Sequence, residues 1–341
     1  MALSRRLALP LLACFTAISP LAQAEGVVNV YSYRQPQLIE PLFAAFTKKT
    51  GIDVKMVFAE KGLVERLEQE GSLSPADVLL TSDASRLVEA AAKDLAQPVT
   101  SEAILSKVPA ALRSSENLWF GLTMRARVIY ASAERVKQDS LSYEELADPK
   151  WKGKICSRPF DHPYNLALTA AIIAHHGEDF TRNWLQGVKA NFAVKPNGND
   201  RSQAKSVMAG ECDLALGNTY YMGLMANNEK EPEQKDWAKA SRIVFPASPD
   251  MATHVNISGM LLAKNAPDKD NALKLMEFLA SDEAQALYAA GNYEYPVNPA
   301  VAPSDTVKSW GTLTPDTMNV AEISKHIKRA AELVAEVDMN N

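Results

Sequence analysis

The sequence predicts an α/β protein of two lobes facing each other across a cleft. Three observations predict it. Apolar residues switch repeatedly between strand-like runs and helical spacing. The chain has 341 residues, long for one ordinary core and comfortable for two. An extended apolar stretch near its middle separates one strand-and-helix unit from another.

The first residues read as a secretion segment. Arg5 and Arg6 precede an apolar run from Leu7 to about Leu21, and Ala22-Gln23-Ala24 forms a small-x-small cleavage site before Glu25. Pro20 interrupts the run, which is short for a bilayer span. A lipoprotein signal ending at Cys14 would cut the run too early. Cleavage after Ala24 removes two arginines and no acid, so the formal charge moves from −5 to −7. An acidic surface favours solubility and does not invite nucleic acid. No later stretch is long and apolar enough to span a membrane.

Val27–Ser32 reads as a buried strand. Leu38, Ile39, Leu42, Phe43 and Phe46 then paint one side of a helix over 36–50, with Pro36 in its first turn and Gly51 as its stop. Strands at Ile52–Phe58 and Ala76–Leu80 and helices at Leu63–Gln69 and Ser85–Lys93 continue the alternation. Such repetition predicts mostly parallel strands covered by helices. Gly121–Ala131 reads as the extended passage between lobes. Beyond it come a helix at Tyr143–Leu146, a strand at Gly153–Cys156, helices at Leu166–His176 and Phe180–Lys189, a strand at Ala193–Lys195, a helix at Arg201–Ala209 and a strand at Cys212–Leu216. A strand near Asn256–Ala263 returns the chain to the first lobe. Helices at Asp270–Leu279, Ser281–Tyr288 and Glu322–Glu336 complete it. The division expected is residues 1–24 as signal, 25–125 and 250–300 as lobe one, and 126–249 and 301–341 as lobe two. Cys156 and Cys212 are the cysteines left after cleavage, and an oxidising compartment would let them pair.

Polar and aromatic residues gather where strands end, a preferred binding position in α/β folds. Tyr33 and Arg34 follow the first strand, with Tyr31 assigned to the core. Alternation places Arg125 and Arg127 on one side of the extended stretch, and arginine holds small oxyanions through paired donors. Tyr164 stands at a helix entrance beside Asn165, a candidate cap. Tyr220 and Tyr221 follow a short strand in what reads as a loop. Each tyrosine alone would ordinarily be packing or surface. Together they suit ferric iron, a hard and highly charged cation that prefers charged oxygen. Binding it can displace phenol protons at neutral pH. Three phenolates balance its charge, and a carbonate-like anion held by arginine fills what remains. Soft metals would want thiolate or imidazole. The five histidines form no spaced ligand cluster. His162 and His254 are possible cleft neighbours, and His175 and His176 are expected on a helix surface. No P-loop, Gly-x-Gly-x-x-Gly, His-Glu-x-x-His or Gly-x-Ser-x-Gly motif is present, which removes the usual sequence arguments for an enzyme.

Val30-Tyr31-Ser32-Tyr33-Arg34, Gly121–Tyr130, Pro163-Tyr164-Asn165-Leu166 and above all Asn218-Thr219-Tyr220-Tyr221 carry a resemblance to the periplasmic ferric-ion-binding proteins of bacterial iron ABC transporters, the transferrin-like branch of the periplasmic binding proteins. It spans essentially the whole mature chain. The resemblance implies the type II two-lobed periplasmic-binding-protein fold, with mixed sheets flanked by helices. It implies Tyr164, Tyr220 and Tyr221 as iron ligands and Arg125 as the residue holding a carbonate or bicarbonate. Arg34 and Tyr33 would approach from lobe one, Tyr33 as a metal contact or as cleft wall. Many relatives carry a histidine in the loop after the first strand, where this chain has Gln35-Pro36, so the firm ligands are expected from lobe two. The resemblance further implies a monomeric carrier in the periplasm without catalytic turnover, delivering iron to an inner-membrane ABC permease. A binder of a small organic anion or a polyamine would share the lobes and the secretion segment. It would survive loss of the Tyr221 hydroxyl.

Overall fold

A computed structural model describes residues 26–341, so the expected secretion segment and Cys14 lie outside the described residues. The chain opens β1 (Val27–Ser32), α1 (Pro36–Thr50), β2 (Asp53–Phe58), α2 (Leu63–Glu70), β3 (Val78–Thr81) and α3 (Ala84–Ala92). β1 pairs in parallel with both β2 and β3, a pairing that needs crossovers such as α1 and α2 supply. Ile39, Leu42, Phe43 and Phe46 are the buried side of α1. Gly51 ends it at φ 75° and donates its N–H to Thr47 O, a position where a side chain would be strained.

After the single turn α4 (Glu102–Leu105) comes β4 (Phe120–Ser132), which has 13 residues and serves two sheets. Its first half pairs antiparallel with β8 (Val255–Leu262). Its second half pairs antiparallel with β6 (Leu214–Asn218) and β7 (Ser241–Val244). The second lobe also contains β5 (Ile155–Cys156), α5 (Pro163–His176), α6 (Glu178–Ala190), α7 (Asp200–Ala209), α8 (Thr219–Ala226) and α9 (Gln234–Ala240). The return leg is β8, α10 (Lys269–Ala280), α11 (Asp282–Asn292) and β9 (Tyr295–Pro296). It is followed by α12 (Asp305–Lys308), α13 (Val320–Ser324) and α14 (Ile327–Glu336). The strand order is β2-β1-β3-β8-β4-β6-β5, with β7 and β9 also on β4. The sheets are therefore mixed. Parallel pairing holds where helices make the crossovers, and β8 turns antiparallel to β3 because it enters from the other lobe.

One buried cluster packs around β1, β3 and β8 and continues past Tyr130 into α7 and α8. A second holds Tyr143, Trp151 and Trp184 together with α5 and α14. There Phe160 packs at 6.4 Å from Trp184 and 5.8 Å from Phe192, both tilted. Cys156 at the end of β5 is joined to Cys212 just before β6, closing a separation of 56 residues. A loop of that length gives about 4 kcal/mol of stabilisation in the chain-entropy account. Among the described residues, no helix is long and apolar enough to cross a membrane.

Several expectations need correction. Ala193–Lys195 is not a strand. It contributes only a bridge from the neighbouring Phe192 to Ile155, since Val194 is exposed and Pro196 has no N–H for a ladder. Tyr143–Leu146 is a single 3-10 turn at Glu144–Ala147. The terminal helix is two helices. Lys325 N–H bonds Glu322 O at 3.2 Å and His326 N–H bonds Ile323 O at 3.0 Å, tight turns that end α13 before α14 begins. His175 and His176 are half-buried rather than on the surface. They meet Asp316 at 2.6 Å and Glu144 at 3.1 Å.

Candidate functional site

A cleft of about 930 Å³ opens between the lobes, lined from one side by Tyr33, Arg34 and Glu294 and from the other by Tyr164, Tyr220 and Tyr221, with Arg125 and His254 at its back. The three lobe-two tyrosines sit in the first turns of two helices, Tyr164 in α5 and the pair in α8. The expected loop after β6 does not exist. β6 runs through Gly217-Asn218 and α8 begins at once. A helix N-terminus favours negative charge, so both phenol sources stand where a phenolate is stabilised.

The Tyr164 and Tyr220 hydroxyl oxygens lie 3.1 Å apart, and the Tyr220 and Tyr221 rings pack at 4.3 Å. Burial, then the charge of Tyr164, raises the Tyr220 phenol well above its ordinary value. The same two causes raise Tyr221. The cleft therefore holds protonated Tyr220 and Tyr221 at neutral pH, and a cation can bind their phenolate forms only by expelling those protons. Guanidinium groups surround the cluster. Arg158 lies 5.0 Å from the Tyr164 ring and Arg201 lies 5.7 Å from the Tyr221 ring.

Two residues of β4 part company in use. Arg125 and Arg127 line one small space behind Tyr164, as alternation implies. Arg127, however, is committed to protein. It donates to Asp200 Oδ2 at 2.7 Å, to Asn165 Oδ1 at 2.7 Å and to Asn218 Oδ1 at 3.2 Å. Asp200 also receives Arg158 at 3.1 Å and the Asn218 N–H at 2.9 Å. Arg125 is buried, and its Nη1 has no partner. An unsatisfied buried cation is costly to leave so, and an anion in the cleft would satisfy it.

The lobe-one residues are more occupied than the sequence suggested. The Tyr33 hydroxyl accepts the Val64 N–H at the start of α2 at 2.7 Å, and Arg86 lies 4.1 Å from its ring. Tyr33 thus forms cleft wall with its oxygen directed at α2. The Arg34 guanidinium is paired with Glu294, one contact at 3.2 Å and a second through Nη2. Arg34 lines the cleft, but its charge is answered from within the protein. Tyr31 is core, with its hydroxyl on Glu70 at 2.8 Å.

Asn165 is not the cap of α5. His162 is, accepting the Tyr164 N–H through Nδ1 at 3.2 Å. Asn165 instead sits buried at the third helical position, bridging Arg127, Ser157 and the Arg158 carbonyl. Burial, then Arg158, lowers His162 to about 4, and burial lowers His254 to about 4. Both rings are neutral at pH 7. Sequence reasoning missed Glu294, Asp200 and Arg158. No local pattern announces Glu294, whose partner lies 260 positions away. Asp200 carried one overlooked signal, an acid at the start of the helix after Asn199, which caps α7. Among the described residues, no group of three histidine, cysteine or carboxylate side chains is placed to hold a metal.

Known proteins share this architecture. A family model described as bacterial extracellular solute-binding protein matches residues 41–315. Iron uptake protein A1 of Synechocystis is 41% identical, with 98% of each chain covered. The structure is similar to that of the ferric iron-binding protein A of Mannheimia haemolytica in an open conformation. There the TM-score is 0.88 at 49% identity, covering 93% of this chain and 99% of the other. It is also similar to a Trichodesmium protein (IdiA, FutA) in complex with iron and citrate. There the TM-score is 0.87 at 41% identity, covering 92% and 99%. The two-lobed type II fold, the cleft and these matches agree: the chain belongs to the bacterial extracellular solute-binding proteins, within the group that includes these iron uptake and ferric iron-binding proteins.

Proposed function

We propose that this protein is a periplasmic carrier of ferric iron. It takes Fe³⁺ onto Tyr164, Tyr220 and Tyr221 as phenolates, with a carbonate or bicarbonate held by Arg125. The observation that carries the proposal is the convergence of three half-buried tyrosines at two helix N-termini, Tyr220 and Tyr221 among them raised above their ordinary values, next to a guanidinium with an unpartnered nitrogen. Three phenolates neutralise the cation, and the helix termini stabilise them. The anion answers Arg125. The names of the relatives point the same way, and they disfavour the metal-free reading in which an organic anion or a polyamine fills the cleft.

The rest of the cycle follows from the architecture. Residues 1–24 send the chain across the inner membrane. Lobe one (25–125 and 250–300) closes over iron first captured by lobe two (126–249 and 301–341), with β4 and β8 as the connecting strands. A monomer then delivers the ion to an inner-membrane ABC permease, with no catalytic turnover. Tyr33 stands as wall rather than ligand, because its oxygen already holds the start of α2.

The test is a titration of the mature protein with Fe³⁺ as a weak chelate in bicarbonate buffer, followed by visible absorption. A phenolate-to-iron charge-transfer band saturating at one iron per chain is expected. Folded protein that stays colourless throughout overturns the proposal.

A further inference from the structure

The face of β4 and β8 that backs the cleft carries four polar side chains in a cross-strand array. Arg125 stands opposite Asn256 in the register of the two strands. Two residues on, the Arg127 N–H bonds the His254 carbonyl at 3.0 Å. Opposite residues and alternate residues share a face of a sheet, so Arg125, Arg127, His254 and Asn256 point the same way. All four line the small space behind Tyr164.

Their hydrogen bonds differ. Arg127 is spent on Asp200, Asn165 and Asn218. The Asn256 side-chain oxygen accepts the Ala84 N–H at 3.1 Å and the Ile257 N–H at 2.8 Å. Arg125 and His254 are only 5% and 3% exposed, yet Arg125 Nη1 and both ring nitrogens of His254 have no partner. Leaving buried polar groups so is costly. His254 is firmly placed, because its N–H donates to the Tyr143 hydroxyl at 3.1 Å while its carbonyl holds Arg127. Burial above all keeps its ring neutral at pH 7, so the imidazole has one N–H to give, from either nitrogen. Arg201 also lines the cleft with an unpartnered Nε, but it reaches in from α7 beside the Tyr221 ring.

We propose that His254 is a second anion-binding residue: its imidazole N–H and Arg125 Nη1 hold the same small oxyanion, carbonate or bicarbonate, at the back of the cleft. A hydrogen bond to a charged acceptor is stronger than a neutral one, and both orphaned donors are met by one ligand. The inference rests on the ferric reading and deepens it, adding an uncharged donor to the anion site.

The experiment titrates bicarbonate into iron-carrying protein prepared free of carbonate and follows the charge-transfer band. His254→Leu fills the space and removes the donor. The bicarbonate concentration at half-change is expected to rise at least about tenfold, the equivalent of about 1.4 kcal/mol. At saturating bicarbonate the variant should still hold one iron per chain. His254→Gln restores an N–H and should stay within about threefold of wild type. An unmoved half-point in folded His254→Leu overturns the proposal, and so does a glutamine variant as impaired as the leucine one, which would mark a structural role. If circular dichroism shows that neither variant folds, the wild type decides by ¹⁵N NMR of its histidine rings. Diamagnetic Ga³⁺ then replaces Fe³⁺, and signals are assigned by substituting the other four histidines. Bicarbonate should shift a His254 ring nitrogen, and ring signals that stay still overturn the proposal. A wild type that forms no coloured complex overturns the ferric reading and this inference together. A coloured wild type with an unmoved half-point in the leucine variant overturns this inference alone.

Discussion

The two walls of the cleft use polar groups in opposite ways. On the lobe-two wall the reactive atoms are phenol oxygens that face one another at 3.1 Å, while the charges behind them are closed into a buried network of Arg127, Arg158 and Asp200. On the lobe-one wall the charges come forward but are already paired, as in Arg34 with Glu294, and the phenol oxygen of Tyr33 is spent on backbone. One wall presents phenol oxygens supported from behind by a paired network, and the other presents charges that are already paired. The difference teaches that proximity to a cleft does not make a residue available. Its hydrogen-bond account decides.

The comparison can be broken first at Asp200. This carboxylate answers two buried arginines, and removing one partner of such a group typically costs about 3–5 kcal/mol. Asp200→Asn should lower stability to denaturant by roughly that amount, measured by chemical unfolding. A loss below about 1 kcal/mol would show that the network is solvated rather than closed.

The next effect is on the ligand set. Tyr220→Phe keeps the ring and removes the oxygen. Iron affinity, read by competition with a chelator, should fall more than about a hundredfold, beyond what loss of a supporting residue causes. The charge-transfer band should weaken with it. A third prediction sharpens the contrast through protons. Tyr220 and Tyr221 are held protonated in the free cleft, so iron uptake should release about three protons if all three phenols ionise. Calorimetry in buffers of different ionisation enthalpy counts them, and affinity should fall as pH falls. In the iron-free protein the sign is different. Phenols raised above the unfolded value of about 10 contribute stability that is intact below that pH. It is lost as pH rises toward their folded values. The smallest effect belongs to Tyr33→Phe. It should leave iron affinity within about threefold, while the orphaned Val64 N–H costs about 1 kcal/mol of stability. A large loss of iron binding would move Tyr33 from wall to ligand.

Much of this was legible in the sequence because it was local. The buried positions of α1 could be read from their spacing, and Gly51 from its place after it. Tyr164, Tyr220 and Tyr221, and Arg125 together with Arg127, could be noticed from helix entrances, strand ends and alternation, while only the family resemblance picked Arg125 and the ligand roles. None of these signals predicts partners. Arg125 and Arg127 look alike in the sequence, and only the fold shows that Asp200, 73 positions on, claims one of them. Tyr220-Tyr221 reads as a loop because Gly217 and Asn218 look like turn residues. In the fold, Gly217 lies under the Tyr130 ring, where a Cβ would meet the ring at 2.1 Å, so the glycine is there for packing and the strand continues.

β4 has a consequence for how the protein can be divided. One unbroken strand supplies residues Phe120–Ala126 to one sheet and Arg127–Ser132 to another. The lobes are therefore not interchangeable modules. A gene fragment ending between them would leave an exposed edge on whichever half it kept, and grafting one lobe onto another partner would require replacing the shared strand as well. New cargo preferences are more readily reached by changing side chains along the cleft than by exchanging whole lobes.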